Sequence, residues 1–92
     1  MFIESIFRKE ISDRITLNSY SYLVKESRKN LETGKFANKL ELTIKGLDNA
    51  LHRAENIICN SLNRKLSIIE KKELYSNLYY KLPGWHLVIE KI

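Results

Sequence analysis

The chain changes its hydrophobic period once, without a break, between Lys39 and Ile58. Leu40, Leu42 and Ile44 alternate with Lys39, Glu41, Thr43 and Lys45, and period two marks a strand with one buried face. Beyond Gly46 the apolar residues fall at Leu47, Ala50, Leu51, Ala54, Ile57, Ile58 and Leu62, the spacing of a helix with one buried stripe. A strand that becomes an amphipathic helix with almost no loop needs a sheet for that stripe to pack on. The chain is therefore read as α/β (α+β). The turn Gly46-Leu47-Asp48-Asn49-Ala50 also leaves backbone N–H groups at a helix N-terminus, where phosphate binds readily.

Ninety-two residues make one domain with a modest core. Sixteen Lys and Arg against eleven Asp and Glu leave a formal charge of +5, which suits a polyanionic partner without establishing one. Cys59 is the only cysteine, which excludes an internal disulfide, and on the apolar side of its helix it reads as an inert thiol. The opening Met1–Glu10 run is too short and too charged for a signal peptide, and no segment is long enough to span a bilayer. The expectation is an intracellular protein, nuclear or cytoplasmic, that does not engage membranes.

Residues 1–12 read as a helix or arm and residues 13–92 as the domain. Arg14–Asn18 alternates and is rich in β-formers, predicting a strand. Tyr20, Leu23, Val24, Ser27 and Leu31 are spaced as on a helix that stops at Gly34. The strand 39–46 and the helix 48–62 follow, with Asp48 as the N-cap. Between 64 and 82 two readings stand. Ser67-Ile-Ile-Glu70 forms a capping box for a helix carrying Leu74, Leu78 and Leu82; alternatively, 66–75 is a strand with a basic tip. Pro83-Gly84 breaks the chain, and Trp85–Ile92 is a closing strand. Two β–α crossovers in this order predict parallel pairing.

No catalytic constellation is legible. His52 and His86 are far apart in sequence, one cysteine makes no zinc pattern, and no P-loop or dinucleotide fingerprint is present. The expectation is a non-enzyme without cofactor or metal. Basic residues instead gather around the strand-to-helix turn at Lys45, His52 and Arg53, after the helix at Arg64 and Lys65, and further on at Lys71 and Lys72. With Gly46 they form the candidate nucleic-acid-binding set; the plainer reading is that they keep a small protein soluble. Among the tyrosines, Tyr20 is assigned to packing, whereas Tyr79 and Tyr80 stay open between packing and base stacking. Trp85 reads as an anchor in the core or at a subunit contact.

The block Lys39–Leu62, with its turn Gly46-Leu-Asp-Asn-Ala50-Leu51 and the following His52-Arg53-Ala54, resembles the second strand and second helix of the Alba superfamily of nucleic-acid-binding proteins. The ending Leu82-Pro-Gly-Trp-His-Leu-Val-Ile-Glu-Lys91 is similar to the closing strand of the branch found in ribonuclease P and ribonuclease MRP. The resemblance implies a β-α-β-α-β-β single domain, a small mixed sheet with two helices. It also implies a homodimer, or a heterodimer with another Alba-like chain. Two departures stand out: Asn18–Tyr22 replaces the lysine signature of archaeal members, and Asp48 replaces the second glycine of the turn.

The expected function is thus a non-catalytic RNA-binding subunit of a ribonucleoprotein concerned with tRNA processing, gripping RNA backbone through its basic surface as a dimer. Two alternatives remain. One is an all-helical interaction module of the immunity or co-chaperone type, with Leu40, Ile44, Leu47, Leu51, Ala54 and Ile58 as its seam. The other is an Alba-type DNA-binding protein of chromatin.

Overall fold

The computed structural model describes residues 15–92. Residues 15–19 are helical (α1) and lead into β1 (Ser21–Lys29) and β2 (Phe36–Lys45). Two helices follow, α2 (Leu47–Leu62) and α3 (Ile68–Asn77), then β3 (Tyr79–Leu82) and β4 (Trp85–Lys91). The strands form one antiparallel sheet in the order β2-β1-β4-β3. The chain leaves the sheet at one edge, crosses a single face as α2 and α3, and returns at the other edge. This is a single α+β domain, as expected from the change of period.

The order of elements differs from β-α-β-α-β-β. The predicted helix from Ser19 to Gly34 is strand β1 and the loop after it, and the predicted strand at Arg14–Asn18 is helical over its described residues. Among the described residues no strands pair in parallel: β1–β2 and β3–β4 are hairpins, and the two hairpins join through antiparallel β1–β4. The misleading residue is Glu26. In β1 the residues facing the helices are Tyr22, Val24 and Glu26, all at most 5% exposed. A carboxylate at the third inward position hides the period-two pattern, and Leu23 on the opposite face completes a spurious helical one. Glu26 is tolerated inside because Trp85 Nε1 donates to its Oε2 at 2.6 Å and Lys39 Nζ lies 3.7 Å from the same oxygen. A bulge opposite Glu26 and Ser27 turns Lys39 toward that carboxylate.

Beyond β2 the structure follows the sequence patterns closely. Helix α2 buries Ala50, Leu51, Ala54 and Ile58 against the sheet, and the two alanines let it approach closely. The capping box at Ser67 and Glu70 is formed, so 68–77 is helix and not a strand with a basic tip. That helix ends earlier than Leu82, because Leu78 adopts a left-handed conformation (φ 54°) and its N–H closes on Leu74 O. Tyr79–Leu82 then form a strand that meets β4 through the Pro83-Gly84 turn. Val24, Leu87 and Ile89 from the sheet meet Ile58 and Leu74 from the helices, with Trp85 and Tyr80 at one end. With 36–45 in a strand, the seam of an all-helical bundle does not exist. The expected arm at 1–12 lies outside the described residues.

Replacing Glu26 with Ala should lower unfolding stability by about 1–3 kcal/mol, the cost of orphaning a buried indole donor. Glu26→Gln, which keeps an acceptor for Trp85, should lose less. Urea unfolding followed by Trp85 fluorescence measures both.

Candidate nucleic-acid interface

Three N–H groups of the strand-to-helix turn, those of Gly46, Asp48 and Ala50, are already taken within the chain. Gly46 has φ 93°, a backbone region that suits glycine, and its N–H donates to Tyr20 O. The cap on α2 comes from a distant residue. Asn18 Oδ1 accepts from the Asp48 N–H at 2.9 Å, while Asn18 Nδ2 donates to Asp48 Oδ2 at 2.9 Å. Asp48 is therefore not the N-cap but a first-turn acid, favourably placed against the helix dipole. The Asn18 amide thus occupies one N–H of the turn, and the Asp48 carboxylate beside it disfavours an anion there.

The other expected residues are dispersed. Arg64 is committed to structure: its guanidinium makes a bidentate pair with Glu70 at 2.8 and 2.9 Å. Glu70 also accepts from the Ser67 N–H and from the Tyr80 hydroxyl, the latter at 2.7 Å. These donors, Arg64 foremost, hold the Glu70 carboxyl well below the usual carboxylate range. Burial, and then the hydrogen bond to Glu70, push the Tyr80 hydroxyl up to about 12. Lys71 lies on α3, 3.7 Å from Glu55 on α2 and over the ring of Tyr75. Lys65 and Lys72 are exposed on the helical side. His52 and Arg53 project from α2 into a groove beside Leu42 and Ile44 of β2. Cys59 is half-buried on the same helix.

Only Lys45 belongs to the surface that the fold leaves open. Both long helices pack on one face of the sheet, and no described element covers the other. Alternation places Leu23, Lys25 and Ser27 of β1 on that face, with Glu41, Thr43 and Lys45 of β2, His86, Val88 and Glu90 of β4, and Tyr79 and Lys81 of β3. At one end three rings gather. Phe36 and His86 have centroids 4.7 Å apart, and Tyr79 stacks on His86 at 6.0 Å. Phe36 and His86 belong to strands on either side of β1. Phe36 lies opposite Lys29 and His86 opposite Ser27, so the two rings meet diagonally across β1, over the small Ser27 side chain.

Phe36 is 48% exposed and Tyr79 40% exposed, so this aromatic group is open to solvent. Ser27 Oγ donates to Asn38 Oδ1 at 3.3 Å beside it, and Lys29 and Lys81 flank it. The acids of the face, Glu41 and Glu90, sit toward the other end, where Glu90 pairs with Lys25 at 3.3 Å. The aromatic end is thus cationic and the far end balanced. Tyr79 and Tyr80, alike in sequence, point to opposite faces: Tyr79 to the open one and Tyr80 to the core. Among the described residues no group of three or more His, Cys, Asp or Glu is placed to hold a metal ion. No described helix is long and apolar enough to cross a membrane.

Sequence reasoning missed Phe36, Ser27, Lys29, Lys81 and His86 because they are spread over four strands. The available signal was alternation in the last two strands, Tyr79-x-Lys81 and His86-x-Val88, once Pro83-Gly84 is taken as a hairpin turn.

The Glu70 cluster gives a pH test. A carboxyl whose pKa falls on folding contributes stability above its unfolded value, near 4.5, and loses it as pH drops through the folded value. Glu70→Gln should therefore lower the melting temperature at pH 7, and the gap from the parent should close as the pH falls below about 4. Thermal melts from pH 7 to pH 2 measure it.

Compared with known proteins, the chain matches no family model, no curated protein and no solved structure.

Proposed function

We propose that this chain is a non-catalytic nucleic-acid-binding domain that holds unpaired bases, in RNA before DNA, on the open face of its sheet. The observation that carries this reading is the solvent-open ring group of Phe36, His86 and Tyr79, flanked by Lys29 and Lys81 and free of carboxylates. Base stacking on aromatic side chains tolerates any sequence, because every base offers a π-face, and neighbouring lysines supply the backbone charge. A rigid sheet suits this use: alternate residues of its adjacent strands face one way at fixed spacing, so rings are held ready for binding at little entropic cost. Duplex nucleic acid keeps its bases stacked internally and gains little from such a platform, whereas RNA loops and bulges present splayed bases.

A subunit role in a ribonuclease P-like ribonucleoprotein is one form of this reading; the RNA contact then comes from the sheet and not from the Gly46 turn. Exposed Asn38, held by the buried Ser27 hydroxyl, adds a neutral donor and acceptor at the ring group, suited to a 2′-hydroxyl or a base edge. The excess of positive charge adds a sequence-independent attraction.

Fluorescence anisotropy with a single-stranded RNA, a single-stranded DNA and a duplex DNA of equal length, over a salt series, tests the reading. Phe36→Ala/Tyr79→Ala should weaken single-strand binding by roughly 1–3 kcal/mol per base unstacked. Lys81→Glu should flatten the salt slope by about 0.7, the share of one phosphate on a single strand. Lys72→Glu, on the helical side, should change much less. Equal losses from Lys72→Glu and Lys81→Glu, or tightest binding to the duplex, would overturn the assignment.

A further inference from the structure

We propose that the outer edge of β2 is the interface through which two copies of this chain join their sheets, antiparallel and centred on Thr43 opposite Thr43 of the second copy. β2 is an edge strand ten residues long, and no described strand pairs with its outer side. Exposed edges of this length recruit further strands unless something blocks them. The bulge at Lys39 disrupts only one end and leaves Leu40–Lys45 regular.

The backbone fixes which residues are free to pair. In an antiparallel ladder the N–H and C=O of alternate residues point to the same neighbour. Gly46 N–H donates to Tyr20 O, so the even-numbered groups of Leu42 and Ile44 face β1. Those of Glu41, Thr43 and Lys45 therefore face outward; the Lys45 carbonyl already accepts from Asn49 Nδ2 at 3.0 Å, so in the new ladder it takes its second hydrogen bond. Centring the pair on Thr43 brings these outward groups together: Thr43 meets Thr43, and Glu41 meets Lys45 on both sides of the two-fold axis. The side chains agree with the backbone. Both Glu41–Lys45 contacts fall on the open face as opposite charges directly across the new ladder, an arrangement that favours pairing. On the helical face Leu42 meets Ile44, beside the groove of about 360 Å³ that Leu42, Ile44, Asn49, His52, Arg53 and Asn56 line. Centring on Leu40 instead sets Leu42 against Asn38 and Ile44 against Phe36, breaks the apolar match and runs into the bulge.

This inference does not depend on nucleic-acid binding. It makes the open faces of two copies continuous, with one aromatic group on each side of the axis.

Sedimentation equilibrium of the full chain over a range of concentrations tests it through a charge exchange. The parent should dimerise. Glu41→Lys sets Lys against Lys twice, and Lys45→Glu sets Glu against Glu twice, so each variant alone should dissociate about tenfold or more readily. Mixed in equal amounts, the two variants pair Lys with Glu at both positions and should form a heterodimer, a recovery that a folding defect in either cannot produce. Thr43→Pro provides a second probe: its N–H faces outward, so its loss breaks no bond to β1 but removes one from each side of the axis. It should yield a monomer with the parent's circular dichroism. A parent that stays monomeric throughout, single variants that dimerise like the parent, or a mixture that fails to recover would each overturn the proposal.

Discussion

The pairing of β1 with β4 holds the molecule together. Each strand belongs to a local hairpin, β1 with β2 and β4 with β3, and neither hairpin alone would have a covered face. Joined through Tyr22–Arg28 against Trp85–Lys91, they become one sheet wide enough to bury the stripe of α2. The same register sets Val24 against Ile89 and Glu26 against Leu87 beneath the helices, and Ser27 against His86 on the open face. A slip by one residue would send Glu26 to solvent and Lys25 into the core. Trp85, whose indole donates to Glu26 across that junction, ties the two strands together in this register.

The charged residues divide by what they face. Glu26 is spent on Trp85 and Lys39, Glu70 on Arg64, Ser67 and Tyr80, and Glu55 on Lys71 and Tyr75. These three carboxylates engage Lys39, Arg64 and Lys71, and Glu70 and Glu55 tie α3 to α2 and to β3. Lys29 and Lys81 stand on the opposite side, beside aromatic rings and away from Glu41 and Glu90. Of the basic residues read from the sequence, Arg64 and Lys71 are thus part of the scaffold and Arg53, Lys65 and Lys72 stay exposed on the helical side, whereas Lys29 and Lys81 are the cations beside the ring group of the sheet.

The half of the fold governed by one clean period was legible. Strand β2, helix α2, the capping box that starts α3 and the Pro83-Gly84 turn are local patterns with local causes. β1 was not legible, because its alternation includes a buried glutamate whose partners, Trp85 and Lys39, lie far away in sequence. The end of α3 was obscured because Leu78, a residue with no preference for it, takes the left-handed cap position. At the Gly46 turn nothing nearby in sequence reveals that Asn18, thirty residues before Asp48, caps the helix. The aromatic group was invisible for a related reason: Phe36 and His86 become neighbours only when β1 runs between them with serine at the crossing point.

The central claim is that the open sheet face, and not the helical side, meets nucleic acid. A titration of the isotope-labelled protein with a short single-stranded RNA, followed by amide and aromatic chemical shifts, tests it residue by residue. The largest shifts should cluster at Ser27, Phe36, Asn38, Tyr79, Lys81 and His86. Shifts concentrated at His52, Arg53, Lys65 and Lys72, with the aromatic group unmoved, would contradict it.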